Sequence, residues 1–174
     1  MDRACYVPRA HMTHDELTAL FRKLGANDPE GWASSQIEEG IPQLARFLFL
    51  RQAWRMIVDE NDASWIGRLI ERAETHADEP YAGSGHALKK LRARGATDDE
   101  ITDLVRGMQA ELLFGFCYLL EDPGDVEPEV ADVAWSIVQV DTEGNVLGMI
   151  PGLHESVLET DPTGREMRPR ERRT

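Results

Sequence analysis

Thr97 begins the longest periodic run in the chain, and any fold has to be arranged around it. Thr97 and Glu100 have the spacing of a capping box, in which hydroxyl and carboxylate each satisfy a free N–H group at a helix start. Behind them Ile101, Leu104, Val105, Met108, Leu112, Leu113, Phe116, Leu119 and Leu120 keep helical spacing until Asp122-Pro123-Gly124 stops the helix. An element that long and that apolar is expected in the core. Glu111 sits in its polar gap, where an ion pair with Arg51 or Arg55 is the expected role.

The rest of the chain supplies the helices to pack against it. Thr13 and Glu16 repeat the capping box, and Leu17, Leu20, Phe21 and Leu24 lead to a stop at Gly25. Asp28-Pro29 starts a second helix, which runs through Trp32 and Ile37 to Gly40. A third is expected from Pro42 to about Val58. Its apolar residues spread over more than one face, with Arg46, Arg51 and Arg55 at the boundary of the dry side. Asp62 or Ser64 caps a fourth, striped by Trp65, Ile66, Leu69, Ile70 and Ala73. Residues 78–85 look like a loop, followed by a short basic helix from His86 to Arg94.

After Gly124 the texture changes. Val133 to Val140 is rich in β-branched residues, Asp141 to Asn145 has turn chemistry, and Val146 to Ile150 is apolar again, which predicts a β-hairpin. Because an isolated hairpin is marginal in water, it must pack on the helices, gain a third strand from Leu153 to Leu158, or pair with another molecule. The expected fold is therefore mostly α, in the α+β class: a bundle of about five to six helices followed by a C-terminal β-hairpin or small antiparallel sheet packed on it. The expected organisation is an extension or tag-like segment at 1–12, one domain at 13–164 with its hairpin at about 133–158, and a basic mobile tail at 165–174.

Charge narrows the partners. The 174 residues hold 32 Asp and Glu against 19 Lys and Arg, a net charge of −13. The last ten residues carry +3, so the body before them carries −16. Such a body repels nucleic-acid phosphates and anionic lipid and attracts basic proteins. No apolar run approaches the roughly 20 residues needed to cross a bilayer, and the N-terminus lacks the apolar centre of a signal peptide. With only Cys5 and Cys117, a disulfide framework is not expected, and the reading is a cytoplasmic protein. Cys117, among Phe114, Phe116, Leu119 and Leu120, reads as a buried, inert thiol.

Catalytic and metal motifs are missing from the pattern. The five His residues, at 11, 14, 76, 86 and 154, have no metal-ligand spacing on a helix, and no cysteine pair has zinc spacing. Gly83-Ser84-Gly85-His86 lacks the spacing and the Lys of a phosphate loop, no nucleophile elbow occurs, and the acidic pairs fall at helix ends rather than in a calcium loop. No catalytic residue, metal or cofactor is assigned.

The leading functional expectation is a soluble acidic interaction module that binds and blocks a basic protein. In kind, though through no shared motif, it resembles the small acidic immunity proteins and antitoxins with which bacteria block toxic enzymes. An inhibitor of that sort needs a rigid scaffold, a charged surface for steered association and a few aromatic anchors. Trp32, Tyr81 and Trp135 are the candidate anchors. The alternative is a small enzyme or ligand-binding domain with a pocket between the helices and the hairpin, using His154, Glu155 and Glu111; His154-Glu155 beside Asp161 is the candidate acid–base group, since a hairpin and a tight turn can bring the three to one polar rim. A homodimer through the hairpin edge is compatible with both.

Overall fold

Both capping boxes form where the sequence puts them. Thr13 starts helix α1 (His14–Leu24), and Thr97 starts helix α6 (Asp98–Leu119), each hydroxyl accepting from the N–H three residues on and each N–H donating to the glutamate. Between them lie α2 (Pro29–Glu38), α3 (Gln43–Trp54), α4 (Ser64–Thr75) and α5 (Ala82–Ala93), and after them a hairpin of β1 (Val138–Val140) and β2 (Val146–Met149). The computed structural model describes residues 12–122, 124 and 126–170. The N-terminal extension up to His11, with Cys5, and the last four residues of the tail lie outside the described residues. The fold is the expected helical bundle with a C-terminal hairpin.

Three apolar clusters hold it together. Leu17, Phe21, Trp32, Ala33, Leu44 and Phe47 join α1, α2 and α3, with the three aromatic rings packed edge-on or tilted at 5.3 to 5.9 Å. Ile66, Leu88 and Ile101 join α4, α5 and the start of α6. The central cluster takes Leu50 and Trp54 from α3, Ala110 and Cys117 from α6, and Ile150, Leu153 and Val157 from the chain that follows the hairpin. Ile137 also packs on this cluster, so the base of the hairpin touches the bundle.

Four local expectations are corrected. The third helix ends at Trp54, four residues early, because tertiary contacts take over its backbone. The next N–H groups tighten onto carbonyls three residues back, and Val58 bonds through both N–H and C=O to Gln109 and Arg106. Arg46 is no boundary residue; it is 4% exposed, inside the bundle. Helix α5 starts at Ala82 rather than His86, because Gly85 is a contact and not a loop residue. A Cβ there would run into the Leu69 carbonyl oxygen and the Ala73 methyl, so α4 and α5 pack backbone to backbone. Lastly, Leu153 to Leu158 adds no strand: a 3₁₀ turn forms at His154–Ser156, and the antiparallel sheet remains two-stranded. Its register, Val138 opposite Met149 and Val140 opposite Val146, carries one irregularity.

Candidate interaction surface

The polar segment after the hairpin folds into the bundle. Gly152, at φ 70°, turns its carbonyl onto the buried Arg46 guanidinium, which also donates to the Ser156 hydroxyl at 3.0 Å. Trp54 donates from Nε1 to the Val157 carbonyl at 2.9 Å and to the Thr160 hydroxyl at 3.1 Å. Asp161 is fully buried and receives Arg106 at 2.7 Å, the Thr163 N–H and hydroxyl at 3.1 and 2.8 Å, and the Met167 N–H at 3.1 Å. Burial opposes its charge, yet these donors and the Arg106 cation outweigh that and hold its pKa below the usual aspartate value. Arg106 in turn stacks over Trp54 and donates to the Val58 carbonyl. Asp161 is thus a structural anchor rather than a member of an open acid–base group.

His154 and Glu155 go elsewhere. His154 lies against the edges of Phe114 and Tyr118 with its Nδ1 3.5 Å from Glu121, while Glu155 is exposed, 3.6 Å from Arg46. The three residues proposed as one polar rim therefore serve three different contacts. Among the aromatic anchors, Trp32 is buried in the first cluster and presents nothing to a partner. Tyr81 is exposed, in left-handed backbone at the start of α5. Trp135 is partly exposed and donates to the Leu119 carbonyl at 2.6 Å, tying the approach to β1 to the end of α6. Glu111 is exposed instead of paired with Arg51 or Arg55. Cys117 is fully buried, and burial with nearby Glu121 pushes its thiol up to about 11, which makes it a poor nucleophile at neutral pH.

The long helix holds the surprise. Its buried residues are Ile101, covered by α4 and α5, and Thr102, Arg106, Ala110 and Cys117 on another side, while Leu104, Met108, Leu112, Phe116 and Leu119, all expected in the core, are 44 to 62% exposed. Residues 104, 108, 112, 116 and 119 recur in steps of four and three, so they form a single stripe on the side away from Cys117. The hairpin continues the pattern, with Val138, Val140, Val146, Leu147 and Met149 exposed. Large exposed apolar patches are uncommon on a monomer.

The stretch of chain that holds most of these exposed apolar residues is also the one in which acid is concentrated. Residues 107–164 contain twelve Asp and Glu and no Lys or Arg, whereas residues 1–106 hold 18 acidic and 14 basic side chains. Most of the net charge is carried by one 58-residue stretch that includes most of the exposed stripe and the whole hairpin. That cation-free run was the sequence signal that counting charge over the whole body hid. The tail that follows it starts against the body: Arg165 pairs with Glu60, and Arg170 with Asp103 at 2.7 Å.

A cleft of about 820 Å³ opens between the end of α1, helix α3 and residues 160–163, lined among others by Phe47, Trp54, Arg51, Arg55 and Asp59. His154, Glu155 and Glu111 do not line it. Among the described residues no cluster of three or more potential ligands could hold a metal, and no helix is long and apolar enough to cross a membrane. No protein-family model, no curated protein and no solved structure matches the chain.

Proposed function

We propose that this chain is an acidic interaction module that binds and masks a basic protein, in the manner of an immunity protein or antitoxin. One observation carries the reading: most of the exposed large apolar side chains lie within a stretch of chain that has twelve acids and no basic residue. Apolar contact area supplies affinity, and a single-sign border supplies steering and excludes wrong partners. The same border repels a phosphate backbone, so the partner is a protein rather than a nucleic acid. Masking needs no catalytic group.

The test is co-expression with the basic product of an adjacent gene, followed by affinity capture at about 0.1 M and at about 0.5 M salt, a range over which exposed charges become strongly screened. A complex retained at the lower salt and weakened at the higher is expected; no complex with any basic neighbour overturns the reading. The alternative, a ligand-binding domain, has the cleft beside Arg51 and Arg55 in its favour, but not the residues first assigned to it.

A further inference from the structure

We infer that the outer stripe of α6 is the docking surface for a cationic amphipathic helix of the partner, an inference that rests on the reading of the chain as an acidic interaction module. From Leu104 to Leu119 the stripe is about 22 Å long at 1.5 Å per residue, the length of about four turns of a second helix. Its side chains form a row at three- and four-residue steps, the relief into which the ridge of another helix packs. The opposite side of α6 is already filled by the central cluster, so no element among the described residues covers this one.

The charge around the stripe selects the occupant. Glu111 flanks the middle of the stripe and Asp122 lies beyond its C-terminal end, and no Lys or Arg follows Arg106, which is buried, until Arg165. A second copy docked about a two-fold axis near the middle of the stripe would bring one Glu111 against the other. A helix with leucines on one face and lysines or arginines along its flanks meets apolar surface with apolar surface and acid with base. Away from the stripe, the chain itself sets an arginine on an acid of α6, Arg170 on Asp103 at 2.7 Å.

The experiment uses the full chain and three labelled peptides of about 15 residues, long enough to span the stripe as a helix. One is a leucine–lysine amphipathic helix, the second has the same composition scrambled out of helical period, and the third carries glutamate for lysine. Fluorescence anisotropy is expected to show binding of the first, at least tenfold weaker binding of the second and none of the third. The double variant Met108→Gln, Leu112→Gln is expected to weaken the first at least tenfold with its unfolding midpoint unchanged. If the scrambled peptide binds equally and the double variant has no effect, the stripe is not the docking surface, although a charge-only interaction module stands. If no lysine peptide binds, both readings fall. A dimer in light scattering that the double variant dissolves makes the occupant a second copy and overturns the inference.

Discussion

Two regions of this molecule exchange the roles their compositions suggest. The segment from Gly152 to Met167, dense in His, Glu, Asp and Thr, is locked into the bundle, whereas the apolar stripe of α6 faces outward. The difference lies in what each backbone leaves free. A segment with little regular structure cannot bury its N–H and C=O groups unless other groups meet them; here Arg46, Trp54, Asp161 and Glu121 provide partners, Glu121 accepting from the Leu153 N–H at 2.5 Å. Helix α6 satisfies its own backbone, so its outer face needs no covering to fold and can be kept for another molecule.

The largest effect that would break this comparison is at the buried ion pair. Arg106→Leu leaves Asp161 without its cation in a site that is 0% exposed, and removing one partner of such a pair costs about 3–5 kcal/mol. Urea unfolding measures it; a loss below about 1 kcal/mol, the range of surface pairs, would mean that the segment is not anchored there. The pair also sets a pH dependence. Because the folded Asp161 has a lowered pKa, its contribution is present above the ordinary aspartate value and is lost as pH falls through the lowered one. Asp161→Asn should remove that part of the acid sensitivity, seen as a flatter plot of stability against pH below the usual aspartate range.

Gly85 gives the next effect, and it tests packing that no charge pattern announces. Gly85→Ala drives a methyl into the Leu69 carbonyl and Ala73, and overpacking of this sort costs about 1–3 kcal/mol. Gly83→Ala, two residues away with open space around it, is the control and should be neutral or slightly stabilising in thermal melts. A smaller change is expected at the start of α6. Thr97→Ala removes the acceptor for the Glu100 N–H and should cost about 1 kcal/mol in urea unfolding.

These sites differ in how far their causes lie from them in sequence, and so in how legible they are. The capping boxes at Thr13 and Thr97 were readable because donor and acceptor are three residues apart. Residues 78–85 read as a loop since glycine marks turns in general, and only the approach of α4 shows that Gly85 serves a contact. Arg46 with Ser156 and Arg106 with Asp161 are separated by 110 and 55 residues, and no local pattern distinguishes such a buried pair from surface charge. For the same reason the helical periodicity of α6 located the helix correctly but did not say which apolar residues the bundle would use. Total charge suggests a basic partner without placing a surface on the molecule, and no sequence pattern shows that Trp32, a candidate anchor, is buried.

The smallest expected effect is the sharpest test of the comparison, because it sets two residues of one helix against each other. Ile101 is 3% exposed between α4 and α5, and Leu112 is 61% exposed on the outer stripe. Ile101→Ala removes packed volume and is expected to cost about 2–5 kcal/mol. Leu112→Ala keeps a strong helix former on a solvated face, so its stability should stay within about 0.5 kcal/mol of the parent. Both are measured by urea unfolding of the isolated chain at low protein concentration, where no second copy is available to cover the stripe. If Leu112→Ala cost as much as Ile101→Ala, the outer face would be part of this chain's own core. A cost near zero, with a drop in the binding of a dye that reports exposed apolar surface, is the result expected of a face that is apolar for the sake of another molecule.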